Sequence, residues 1–250
     1  MKSFLVGLQF LTRLHFSTQT EWQEKDFGES VKWFPVIGWI VGIFLCLIYL
    51  LMKPLNTPIL TGFFLVIAEL FITGGTLADG LMDSSDGLFS GRSKERILEI
   101  MKDSLVGSFG ILSILILVLL KTFSLASAME GNMYLILAAM PIIGRLNLVF
   151  SVCEYPYARP YGFGKAFATY HSDYAVIFAL ITAVLPFFYF GFDYLILLGS
   201  GILIGLYLNR WIVKKIGGTT GDTYGFVTEI TEALIALLFV FLVKGNLWHI

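Results

Sequence analysis

The chain has 250 residues, 57% of them hydrophobic and only 14% charged, with a mean hydropathy of +0.81. Soluble domains sit nearer half apolar and a quarter charged, so this composition excludes an ordinary soluble domain and describes an integral membrane protein. A formal net charge of −1 without a long basic stripe gives no pointer to nucleic acid, and two distant cysteines, Cys46 and Cys153, read as small buried hydrophobes rather than a disulfide framework.

In chain order, the first segment reads MKSFLVGLQFLTRLHF. Gln9 and Arg13 interrupt it and no small-residue cleavage pattern follows, which argues against a signal peptide. Phe4, Leu5, Leu8, Leu11 and Phe16 instead fit a helix lying in the membrane interface. Apolar windows near the roughly 20 residues a crossing needs follow at 34–52, 59–77, 107–128, 133–152, 174–191, 194–210 and 229–244. The expected fold is therefore all-α: a polytopic bundle of about seven transmembrane helices with an interfacial N-terminal helix, in one membrane-embedded domain over residues 1–250. Seven spans put thirteen of the seventeen Lys and Arg on one side, against only Lys53 and Lys244 on the other, with Lys121 and Arg145 inside spans. By the positive-inside rule the rich side faces the cytoplasm.

That side also collects the unusual polar motifs. The sequence GGTLADGLMDSSDGLFSGR places Asp79, Asp83 and Asp86 at offsets that share one helical face. Three like charges on one face repel unless a cation binds, and hard carboxylate oxygens suit Mg²⁺ escorting a phosphate or diphosphate. The alternatives are a solvated acidic face, or a C-terminal turn paired with Arg92 and Arg96. Intramembrane Glu69 and Lys121 fit pairing with polar groups on other helices, and Arg145 fits pairing with a carboxylate or an anionic substrate. In ARPYGFGK, Arg159 and Lys165 flank two glycines as a clamp for an anion, among tyrosines that equally suit a membrane aromatic belt. GGTTGD offers Gly218 and Gly221 as a backbone cradle for phosphate or as an ordinary turn. Asp222, Glu229 and Glu232 follow it as a second acidic face.

With FLVGLQFLTRLHF, WFPVIGWIVG, DGLMDSSDGL, RILEIMKDSLVGSFG, PYARPYGFG and GGTTGDTYG in order over nearly the whole chain, the sequence resembles the cobalamin synthase family of membrane-bound adenosylcobinamide-GDP ribazoletransferases. Two positions depart from the family pattern: Leu77 stands where a histidine is usual, and Leu105 where an arginine is usual. The resemblance implies a multi-pass enzyme of the bacterial inner membrane, embedded in the lipid bilayer, with its active site toward the cytoplasm. It would join adenosylcobinamide-GDP to α-ribazole or its 5′-phosphate with Mg²⁺ and release GMP. It further implies metal ligation by Asp79, Asp83 and Asp86, with Asp103 as a further carboxylate and Asp86 as the first choice of general base. Arg92, Arg96, Lys102 and Arg159 would bind phosphates, and Asp222 and Glu229 a second metal or the nucleoside. A homo-oligomer is compatible with the sequence. A CDP-alcohol phosphotransferase is a second reading, since Asp83, Asp86 and Gly87 imitate the start of that signature, but its later half is missing. A cation-coupled transporter is a third, from Glu69, Lys121 and Arg145 inside spans.

Overall fold

The computed structural model describes residues 2–15 and 22–245, and its regular elements are all helices. One parallel bridge, between Tyr157 and Thr219, is the sole strand-like pairing among the described residues. Phe16 lies outside them. Helix α1 (Lys2–Leu11) is too short to cross a membrane and buries Val6, Leu8 and Leu11 against its neighbours. Then follow α2 (Glu24–Ser30), α3 (Phe34–Met52), α4 (Pro58–Thr73), α5 (Thr76–Leu88), α6 (Lys94–Ile100) and α7 (Ser108–Ser127). The second half holds α8 (Met133–Cys153), α9 (Phe163–Tyr170), α10 (Ala175–Val184), α11 (Phe187–Phe190), α12 (Phe192–Ile216) and α13 (Gly221–Lys244).

Five helical runs are long and apolar enough to cross a bilayer: Glu24–Leu55, α7, α8, α12 and α13. Two bent pairs, α4 with α5 at 95° and α9 with α10–α11 at 101°, raise the number to as many as seven, and the chain is an all-α multi-pass membrane protein. Large apolar side chains such as Leu51, Phe71, Ile116, Phe188, Leu203 and Phe241 point outward, as a lipid-facing belt requires. Several span boundaries differ from the sequence expectation, and α4 stops at Thr73 rather than 77. Helix α12 runs to Ile216 rather than 210, and α13 begins at Gly221 rather than 229.

Helix α8 is the axis of the bundle, mostly apolar and buried along almost its whole length, Arg145 and Asn147 included. Helix α3 approaches it through Gly38 and Gly42. A Cβ on Gly38 would stand 2.6 Å from the Pro141 carbonyl oxygen, so only a hydrogen there permits the backbone contact. Asn147 of α8 fastens α12 and α13 by donating to Gly201 O at 2.8 Å and Thr231 Oγ1 at 3.0 Å.

Charge is also buried at the centre. Lys121 Nζ donates to Glu69 Oε2 at 2.9 Å, Glu229 Oε2 at 2.8 Å and Glu232 Oε2 at 2.7 Å. Glu232 Oε1 takes Arg145 Nη1. These five side chains are all buried, and they bind α4, α7, α8 and α13 together. Pairing is what lets Glu229 and Glu232 sit in a spanning helix that their charges alone would have ended.

Candidate active site

At one end of the bundle the three polar segments converge. Helix α4 stops where Gly74 and Gly75 take φ of +71° and +75°, values open to glycine, and the chain bends by 95° into α5. Helix α5 then crosses the first turn of α13 at closest approach. A Cβ on Gly80 would stand 2.7 Å from the Asp222 carbonyl oxygen, and Gly225 meets the Leu77 backbone in the same way. Leu77 is thereby a buried packing residue of this crossing, whereas Leu105 is 80% exposed.

The crossing brings Asp79 and Asp83 of α5 to the side of Asp222. The charges of Asp79, Asp222 and Asp86 crowd the partly buried carboxylate of Asp83, and Arg159 is the cation that answers them. Arg159 Nη2 forms an ion pair with Asp222 Oδ2 at 2.7 Å, and the buried Arg159 Nε has no hydrogen-bond partner among the described residues. The Arg159 loop is held in place by its own backbone: Ala158 N donates to Thr219 O, and Thr219 N to Pro156 O, both at 2.8 Å. Gly218 permits that pairing, since a Cβ there would meet Ala158 N at 2.8 Å. Thr220 caps α13, its Oγ1 accepting from Thr223 N at 3.2 Å while Thr220 N donates to Thr223 Oγ1 at 2.8 Å. Gly221 opens the helix, so its N-terminus, the positive end of the helix dipole, faces the acidic group.

The remaining expected residues divide by position. Asp86 is turned away toward α7: Oδ2 accepts from Gly107 N at 2.7 Å and Oδ1 from Gly110 N at 2.8 Å. Asp103 closes a local turn, Oδ1 accepting from Leu105 N at 3.0 Å. Arg92, Arg96 and Lys102 are exposed around α6, and Arg96 pairs with Glu99 at 2.8 Å. Lys165 donates to Pro160 O at 2.7 Å in the Arg159 loop. Glu229 does not join the aspartates. It lies two turns beyond Asp222 along α13, about 10 Å deeper, with its carboxylate committed to Lys121. Arg145 likewise answers Glu232 in the interior and is 0% exposed, which removes it from contact with substrate. Gly107 and Gly110 were missed as partners of Asp86. Their spacing in VGSFG was the available signal, because a Cβ on Gly110 would stand 2.5 Å from Asp86 Oδ2. Gly110→Ala is therefore expected to displace that carboxylate and cost about 1–3 kcal/mol, read as a lowered thermal midpoint in detergent.

Carboxylate donors on two elements, with Asp79 and Asp83 neutralised by no hydrogen bond or ion pair among the described residues, are the hard oxygen set a divalent ion takes. Among the described residues no three such side chains already surround a common metal position, so ligation requires the side chains to turn inward.

A family model described as cobalamin-5-phosphate synthase matches residues 3–240. The chain belongs to the cobalamin-5-phosphate synthase family. Curated relatives in this cobalamin synthase family share its full length. One from Desulfitobacterium hafniense (strain Y51) is 37% identical over 248 residues, covering 95% of this chain and 96% of the relative. One from Alkaliphilus oremlandii (strain OhILAs) is 39% identical over 249 residues, with the same coverage of both chains. One from Brevibacillus brevis is 32% identical over 253 residues, covering 99% of this chain and all of the relative. Each of the three is named adenosylcobinamide-GDP ribazoletransferase. No solved structure matches the chain. As a cobalamin synthase family member the chain is a membrane-embedded transferase of cobalamin synthesis, which sets aside the transporter reading.

Proposed function

We propose that the chain transfers the phospho-cobinamide group of adenosylcobinamide-GDP to a hydroxyl of α-ribazole or its 5′-phosphate, releasing GMP at the cytoplasmic face of the inner membrane. The observation that carries this reading is the meeting of Asp79, Asp83, Asp222 and Arg159 at one end of the bundle, where acid outweighs base. Asp79, Asp83 and Asp222 would hold Mg²⁺, which would supply positive charge against the diphosphate. Arg159, tethered by Asp222 and with Nε free, donates to a phosphate oxygen. Arg92, Arg96 and Lys102 on the exposed rim raise the local concentration of a polyanionic substrate.

The ribazole hydroxyl oxygen bonds to the phosphorus next to cobinamide. The bond from that phosphorus to the bridging oxygen breaks, and GMP leaves with the electron pair. The hydroxyl proton passes to a carboxylate, and Asp83 suits this role better than Asp86, both of whose oxygens are engaged by backbone N–H groups.

The test is an assay of the purified chain in mild detergent with both substrates and Mg²⁺, following GMP and the cobalamin product together. Equal amounts of the two, suppressed by EDTA and restored by Mg²⁺, are the expected result; CDP-alcohol substrates turned over in their place would overturn the reading. The pH profile has a defined sign. Asp83 must be ionised to take the proton, so kcat/KM rises with pH as that carboxyl loses its own proton and is level above it. Mg²⁺ bound at Asp83 moves that rise to lower pH. A rate that instead falls between pH 5 and 7 removes the carboxylate base.

A further inference from the structure

A cavity of about 600 Å³ opens between α2 and the loop that enters α9, and the chemistry described so far makes no use of it. Ligand sites commonly occupy about 300–1,000 Å³, so its size suits one planar heterocycle with part of a sugar and is far too small for a corrinoid. Phe27, Tyr161 and Tyr170 give it aromatic walls, while Glu24 and Lys165 place an acid and an ammonium on its lining. Tyr161 is 82% exposed, its ring open to a partner, with Lys165 Nζ 5.9 Å from its centroid.

The cavity adjoins the acidic site through one stretch of backbone. Arg159, paired with Asp222, precedes Tyr161 by two residues, about 7 Å of extended chain. Gly162 has φ +139°, a conformation open to glycine, and it turns the chain into α9. At Gly164 a Cβ would lie 3.0 Å from Gly221 N, so the first turn of α9 rests on the start of α13, beside Asp222. A nucleotide with its phosphates at Arg159 has this cavity as the neighbouring space for its base.

The polar lining discriminates among bases. Guanine presents N1–H and N2–H donors along one edge and O6 and N7 acceptors along another, which an acid and an ammonium complement. Adenine has an acceptor at N1 and offers a carboxylate no such donor pair. The benzimidazole of α-ribazole has no ring N–H at all, so it offers Glu24 no donor to accept from. We propose that this cavity binds the guanine base of the GDP-linked substrate, with Glu24 accepting from N1–H and N2–H, Lys165 donating to O6, and Tyr161 stacking on the ring. The assignment deepens the reading given under Proposed function and rests on it.

The experiment measures equilibrium binding of GDP, IDP and ADP to the full-length chain in detergent with Mg²⁺, for the wild type, Glu24→Ala and Tyr161→Ala. Both side chains are exposed, so the variants are expected to keep the wild-type thermal midpoint. The wild type should bind GDP at least tenfold tighter than ADP, with IDP, which lacks N2, in between. Glu24→Ala should narrow the preference for GDP over ADP several-fold, with Lys165 keeping the remainder through O6, and Tyr161→Ala should weaken all three by about tenfold. An unchanged GDP-to-ADP ratio in Glu24→Ala, while the wild type still turns over the GDP-linked substrate, overturns the cavity assignment and leaves the transferase reading standing. An effect of both variants on KM for α-ribazole alone overturns it in favour of the other substrate. A wild type that neither binds GDP nor turns over overturns both.

Discussion

Lys121→Met will destabilise the detergent-solubilised protein by about 3–5 kcal/mol, because it leaves three carboxylates in the interior with only Arg145 to answer them. For a chain of this size each kcal/mol moves the thermal midpoint by roughly 2–4 °C, so a fall of about 6–20 °C is expected. Methionine fills a similar volume, which separates the loss of charge from the loss of packing. Glu69→Gln should behave very differently. The cluster holds three acids against two cations, and Glu69 Oε1 is buried without a hydrogen-bond partner, so removing this carboxylate balances the charge. Its midpoint should stay within about 1 kcal/mol equivalent of the wild type. Comparable losses in the two variants would show that the excess acid is not what Glu69 contributes.

Asp83→Asn will lower turnover by about 10²–10⁴-fold, the range expected when a positioned general base is removed. It also withdraws one of three acidic metal-binding groups, so the Mg²⁺ concentration needed for half-maximal rate rises. Stability should move the other way or not at all. Asparagine matches aspartate in shape, and Asp83 is crowded by the like charges of Asp79, Asp222 and Asp86. Paired measurements of initial rate and thermal midpoint therefore distinguish a catalytic loss from a folding defect. Asp86→Asn is the contrasting case, since it loosens the anchor between α5 and α7 and should lower the midpoint together with the rate. Full turnover of Asp83→Asn at limiting Mg²⁺ would sink the assignment of both base and metal.

Where the sequence was legible, a long and mostly apolar run carried the information. The window 34–52 is α3 to the residue, and 133–152 falls one residue short of the end of α8, because Lys53, Asn132 and Glu154 bound those runs. The expected cross-helix pairing of Glu69 and Lys121 is present. The start of α13 was misplaced for a physical reason: the polar run GGTTGDTYG reads as a loop, and only the Thr220–Thr223 cap shows that the helix already begins at Gly221. Glu229 was grouped with Asp222 because spacing along a helix reports a shared face and says nothing about depth in a bilayer. Asp86 shared a face with Asp79 and Asp83 as expected, yet its direction was settled by the amides of Gly107 and Gly110, which belong to another helix. Periodicity determines which side of a helix a group occupies; the neighbouring helix determines what the group can do there.

The buried ionic cluster also dictates an order of assembly. As the polypeptide leaves the ribosome, Glu69 enters the membrane 52 residues ahead of Lys121, and two of the three acids arrive only with α13. Until that final helix inserts, Lys121 has one of its three carboxylates and Arg145 has none. The acidic end therefore cannot form piecemeal during synthesis: the same helix that brings Asp222 beside Asp79 and Asp83 completes the lock below it, so that group of carboxylates is assembled only once α13 has inserted.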